Sequence, residues 1–288
     1  MRNQQPDSLE AQRGQIVDLI KDGRLDQAAF RAGLLAERLP GEPSCSADAP
    51  LVAWVRDVDL PKDRPAPWKA AFRLALSQAK SASATVALAV RRYLARGLVR
   101  AAELSEGRGT PRSGEPPGSF LLEVDLPEEA AESLYATLAL LPGSGRAALL
   151  LANAMYRLGR EEEARDLYRR ALRVAPFEVA LEEVEDPEVR SLADLAPQLG
   201  IAGDVRPWLP ALGHLEDVLP FSALDPVPGA GFGDGTRAYD LLVAHRGARS
   251  NGERAAIRHD LRELAPGLHD ALVFARKLDA TGSRAGSA

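Results

Sequence analysis

Four glycines fall within the nine residues PGAGFGDGT at 228–236, directly before an apolar helical run. A glycine-rich turn that opens a helix is one way for a backbone to cradle phosphate. A phosphate-binding loop follows its last glycine with a lysine and a hydroxyl residue, whereas Gly235 is followed by Thr236 and Arg237. A dinucleotide-binding turn needs a strand aimed into it, and Pro226 and Pro228 interrupt the preceding LDPVP. The stretch therefore reads as a loop ending at a helix start, with Asp234 or Thr236 accepting a backbone N–H there. His259 and Glu263 stand four apart on an expected helix, with His245 and His269 on flanking segments. Arg258 and Arg262 beside them disfavour a divalent ion, so no metal site is assigned. Most serines lie in turns, and no nucleophile can be paired with a base. No catalytic residue and no cofactor are expected.

Charge is more informative. Residues 65–101 hold Lys69, Arg73, Lys80, Arg91, Arg92, Arg96 and Arg100 and no acid. Arg92, Arg96 and Arg100 recur every four residues, which places them on one helical face, and with Lys69 and Arg73 they form a basic stripe. From Pro176 to Pro226 eleven acids oppose only Arg190 and Arg206. Three readings stay open: two separately solvated faces, docking of the stripe on the acidic 178–225 segment, or an external acidic or nucleic-acid partner. Nucleic acid ranks low, because only Trp68 and Tyr93 are placed to stack on bases.

The whole chain of 288 residues carries a net charge of −5 and 45% hydrophobic residues, a globular balance with no general attraction to nucleic acid. Cys45 is the only cysteine, which excludes an internal disulfide and fits a reducing cytoplasm. No apolar run approaches the ~18 residues of a membrane span, so membrane insertion is not expected.

The elements that must position these groups repeat. Residues 127–142 read PEEAAESLYATLALLP and 161–176 read EEEARDLYRRALRVAP, offset by 34 residues, and LDQAAFRAGLLAERLP at 25–40 repeats the same pattern. The complete unit, GRAALLLANAMYRLGREEEARDLYRRALRVAP at 145–176, resembles a tetratricopeptide repeat. Leu151 and Ala152 sit where its first helix meets its second, Gly159 makes the turn, Ala164 allows close approach, Tyr168 and Ala171 face the seam, and Pro176 ends the helix. The copies near 9–40 and 127–142 have poor first helices. The resemblance implies an all-α solenoid of helical pairs. It also implies that Arg146, Leu149, Asn153, Tyr156 and Arg157 are exposed in a partner-binding groove. Asn153 coincides with an asparagine that some members use to grip a peptide carboxylate, while Leu149 stands where those members carry lysine. The internal EEVEDP at 182–187 is similar to the tails such members bind, without their terminal carboxylate.

The chain then divides into an N-terminal helical region at 9–106, a linker at 107–119, the repeat region at 120–176, an acidic connector with a less regular helical region at 177–280, and a tail at 281–288. Residues 67–104 read as two helices broken near Ser81 and Ser83, the first starting at Pro67, and helical patches are expected at 236–246, 252–264 and 267–279. The function expected is a non-catalytic scaffold or adaptor for a protein or peptide partner. The alternatives are a nucleic-acid-associated factor using the stripe and an enzyme with a site in the C-terminal region.

Overall fold

The computed structural model describes residues 8–106, 115–219 and 233–273, and these form helices and turns with no strand among them. The fold is all-α, with helices packed in adjacent, tetratricopeptide-like pairs. Two compact units divide after Ser133.

In the first unit α1 (Leu9–Lys21) starts where the Ser8 hydroxyl accepts the Ala11 amide at 3.2 Å. Gly23, at φ +72°, turns the chain into α2 (Leu25–Arg38). Both helices of the first repeat copy are therefore complete. The next helix, α3 (Pro43–Asp57), falls in the expected helical region but was not assigned individually, and Pro50 lies inside it. It forms because Cys45, Asp48, Leu51, Val52 and Val55 recur at helical spacing and are all buried. Asp48 is 1% exposed and answers its burial cost with Ser83: the Ser83 amide donates to it at 2.7 Å, and Arg13 lies 3.4 Å away. Next come α4 (Pro65–Gln78), which starts two residues before the expected Pro67, and α5 (Ala84–Glu106). The break between them falls at 79–83, as the serines suggest. Of the apolar stripe that spacing predicts, Val86, Val90, Leu94 and Leu98 are buried and Tyr93 is half-buried, and α5 packs against α1, α3 and α4.

Residues 107–114 of the expected linker lie outside the described residues. Its last residues are not loose, for Gly118 and Ser119 are buried in the short α6 (Gly118–Leu122). Phe120 of that helix meets Phe72 edge-on at 5.2 Å. The helix α7 (Pro127–Leu140) spans the division between the units.

The second unit is built on α8 (Gly145–Arg157), capped by Ser144, and α9 (Glu161–Val174). Gly159, at φ +72°, turns one into the other, and Ala148, Ala152, Ala164 and Ala171 are essentially inaccessible. The run 176–199 is a chain of single turns including α10 (Pro187–Ser191), followed by α11 (Leu209–Leu215), α12 (Asp234–Gly247) and α13 (Asn251–Leu264). Arg169 and Arg173 of α9 reach Tyr239 of α12: Arg169 lies 3.3 Å from its hydroxyl, and Arg173 stacks 4.4 Å from the ring centre. The expected helices at 236–246 and 252–264 are thus present, and 266–273 is helical. Residues 274–288, including the expected tail, lie outside the described residues.

His214 of α11 meets Tyr239 edge-on at 6.0 Å, and burial, aided by Arg246, holds its imidazole below the usual histidine range. A group with a depressed folded pKa contributes stability above its unfolded value of about 6.5 and loses it as pH falls through the folded value. The urea midpoint of the second unit should therefore fall between pH 7.5 and pH 5 by more in the wild type than in His214→Gln. Equal slopes would overturn this.

Candidate peptide groove

Residues 228–232 lie outside the described residues, and Gly233, at φ +78°, precedes α12 without any side-chain cap bond. The cap expected from Asp234 or Thr236 is not formed, because Gly233 itself occupies the cap position. His259 and Glu263 are both exposed, His245 is buried, and His269 pairs with Asp270 at 2.9 Å. No group of three or more His, Cys, Asp or Glu residues suited to a metal ion occurs among the described residues. No helix there is long and apolar enough to cross a membrane.

The expected groove residues do come together, but not in the open. Leu149 is 0% and Asn153 4% exposed, against the expectation that they face solvent. Asn153 is covered by the chain's own acidic strap, residues 178–186. Asn153 grips its backbone from both sides, donating from Nδ2 to the Glu183 carbonyl at 2.8 Å and accepting the Glu185 amide at 3.2 Å. Tyr168 donates to Asn153 Oδ1 at 2.6 Å, which fixes the amide's orientation. Burial pushes the Tyr168 phenol well above the tyrosine range.

The ends of α8 meet the strap's carboxylates. The Arg146 amide donates to Glu178 at 3.1 Å, its guanidinium pairs with Glu183, and Arg157 holds Glu185 in a fork at 2.6 and 2.9 Å. From α9, Arg165 takes the buried Asp186 at 2.9 Å and Glu188 at 2.7 Å. Tyr156 stays partly exposed at the edge. Val179 and Val184, each 1% exposed, anchor the strap from beneath. The acidic strap is thus held twice, through backbone groups by Asn153 and through side chains by three arginines.

The sequence placed EEVEDP beside this chemistry without joining the two. The missed residues are Arg165, Glu178, Glu183, Glu185 and Asp186. A usable signal existed: one repeat length beyond Gly145 is Val179, so 179–191 stands where another first helix would run, and Pro187 interrupts it. The segment therefore folds as single turns along α8.

The basic stripe finds partners within the first unit. Lys69 and Arg73 lie 3.4 and 3.3 Å from Glu115, and Arg73 lies 3.0 Å from Glu123. Arg92 donates to the carbonyls of Val124 and Asp125, each at 3.1 Å, and Arg96 forms a fork to Glu129 at 2.6 and 2.8 Å. The Arg96 guanidinium, by hydrogen bonding, holds the Glu129 carboxyl below its usual range. Only Arg100 of the stripe is left exposed without an ion pair to a described residue. The stripe's counter-charges are local acids at 115–129, and those of the acidic strap are Arg146, Arg157 and Arg165.

Residues 121–193 match the family model described as tetratricopeptide repeat. No curated protein and no solved structure matches the chain. The matched span takes in the second repeat copy, the complete α8–α9 pair and the strap that covers it. Over that span the chain is a tetratricopeptide-like repeat protein.

Proposed function

We propose that the protein is a non-catalytic interaction scaffold for a protein or peptide partner, with Arg146, Leu149, Asn153, Tyr156 and Arg157 forming a peptide-gripping groove. The observation that carries this reading is the grip of Asn153, Arg146 and Arg157 on the acidic strap, inside a span that matches a tetratricopeptide repeat. Backbone amide and carbonyl contacts give affinity for any extended segment, and the arginines select acids. The buried Val179, Val184 and Asp186 make the strap a standing part of the fold, so the groove works in cis to fix the end of the repeat.

The test is affinity capture from the native host on immobilised full-length protein, compared with a heat-unfolded control. A stoichiometric partner retained by the folded chain alone supports the scaffold. Recovery of the same proteins on both matrices, or of none, overturns it.

A further inference from the structure

The first unit carries a cavity of about 670 Å³ where the α1–α2 turn and the α3–α4 connection converge over α5. Its size falls within the usual range for binding pockets, roughly 300–1,000 Å³. The floor is apolar and stiff. Trp68 is 7% exposed, donates from its indole N–H to the Pro61 carbonyl at 2.9 Å, and lies flat against Gly97, where any side chain would collide with the ring. Tyr93 stands beside it at 5.9 Å, and Val55 closes the back.

The rim is cationic. Lys21, Arg56, Lys62, Arg96 and Arg100 border the opening, with Asp22 the one acid among the lining residues. Three of these are already engaged: Arg56 by Asp57 at 2.7 Å, Arg96 by Glu129, and Lys21 by Asp18 at 3.4 Å. Lys62 and Arg100 make no ion pair with a described residue. Leu104, at the edge, is 55% exposed, a large apolar side chain left in water beside an unpaired arginine.

We infer that this cavity is a second docking site, for an acidic partner peptide that inserts an aromatic or large aliphatic side chain onto Trp68 and Tyr93 while its carboxylates meet Lys62 and Arg100. An apolar floor bordered by Lys62 and Arg100, which pair with no described acid, complements an acidic, amphipathic segment and disfavours a basic one. A peptide is preferred to a small acid because the cavity, about 670 Å³, is lined from the buried Trp68 to the half-exposed Leu104, more apolar lining than a single compact acid covers. That choice rests on the scaffold reading. The site lies outside the span that matches the tetratricopeptide repeat.

The experiment titrates full-length protein against a fluorescein-labelled acetyl-Glu-Glu-Phe-Glu-Glu peptide by fluorescence anisotropy at low ionic strength. Saturable binding is expected, weakened about tenfold by Arg100→Glu and by Lys62→Glu, both exposed positions, and by replacing the peptide's phenylalanine with alanine. Leu104→Glu should weaken it too, with circular dichroism unchanged.

Several results would overturn the inference: no saturable binding, equal binding of the alanine peptide, or loss of binding in Arg157→Glu instead, which would assign the ligand to the groove. Competition by 3-phenylpropionate at the same concentration as the peptide would assign the cavity to a small acid. Tighter, Arg100-dependent binding of a single-stranded oligonucleotide would assign it to nucleic acid. Failure here leaves the capture experiment on the scaffold unaffected.

Discussion

Replacing Ala164 by glutamate should unfold the α8–α9 pair. Ala164 is 0% exposed on the second helix of the complete repeat, where α8 and α9 make the most extensive helix contact among the described residues. A glutamate there must either bury a carboxylate with no partner or force the helices apart. The expected cost is at least about 4 kcal/mol, enough to remove most of a typical domain's stability. The loss should appear as reduced helical circular dichroism and as fast amide exchange across 145–190. The exposed Ala136→Glu on α7, the same substitution in water, should change stability by no more than about 0.5 kcal/mol. A folded Ala164→Glu protein with wild-type exchange would sink the repeat packing itself.

The repeat was legible because its signals are local. Alanines at 164 and 171, the turn at Gly159 and the stop at Pro176 each serve their own helix, and the 34-residue offset repeats Ala164 as Ala130 and Pro176 as Pro142. Helix α3 was not legible as an individual helix, because Pro50 reads as a breaker. In the fold its missing N–H is tolerated, as the buried face Cys45, Asp48, Val52 and Val55 outweighs one lost bond. The groove residues were found, but their exposure was misjudged. Covering Asn153 depends on where an irregular acidic run travels after Pro176, and neither helical nor strand periodicity describes such a run. The basic stripe shows the same limit. Its spacing on α5 is visible in sequence, whereas its pairing with Glu115, Glu123 and Glu129 requires the path through α6.

Removing the Asp186 carboxylate should release the strap. Asp186 is 1% exposed and ties three elements together: one oxygen accepts Arg165 of α9 at 2.9 Å, and the other caps α10 by accepting the amides of Glu188 at 2.8 Å and Val189 at 3.4 Å. Alanine at this position leaves Arg165 with Glu188 alone and strands the first amides of α10, at an expected cost of about 2–4 kcal/mol. Asparagine keeps an acceptor for the cap and gives up the charge, so Asp186→Asn should lie between alanine and wild type. The site of the loss can be read separately from its size. In the wild type the Glu185 amide is held by Asn153 and Tyr168, and its hydrogen exchange should be slow. In Asp186→Ala that amide should exchange far faster than those in the middle of α8. Tyr168 supplies a second readout, because burial beneath the strap raises its phenol. A raised pKa means that the folded state keeps its proton, so this stability is present below the unfolded value of about 10 and is lost as pH rises above it. With the strap released, water reaches the phenol, and its ionisation, followed by ultraviolet absorbance, should move down toward the ordinary tyrosine range. Unchanged Glu185 exchange together with unchanged Tyr168 ionisation in Asp186→Ala would mean that the valines alone hold the strap.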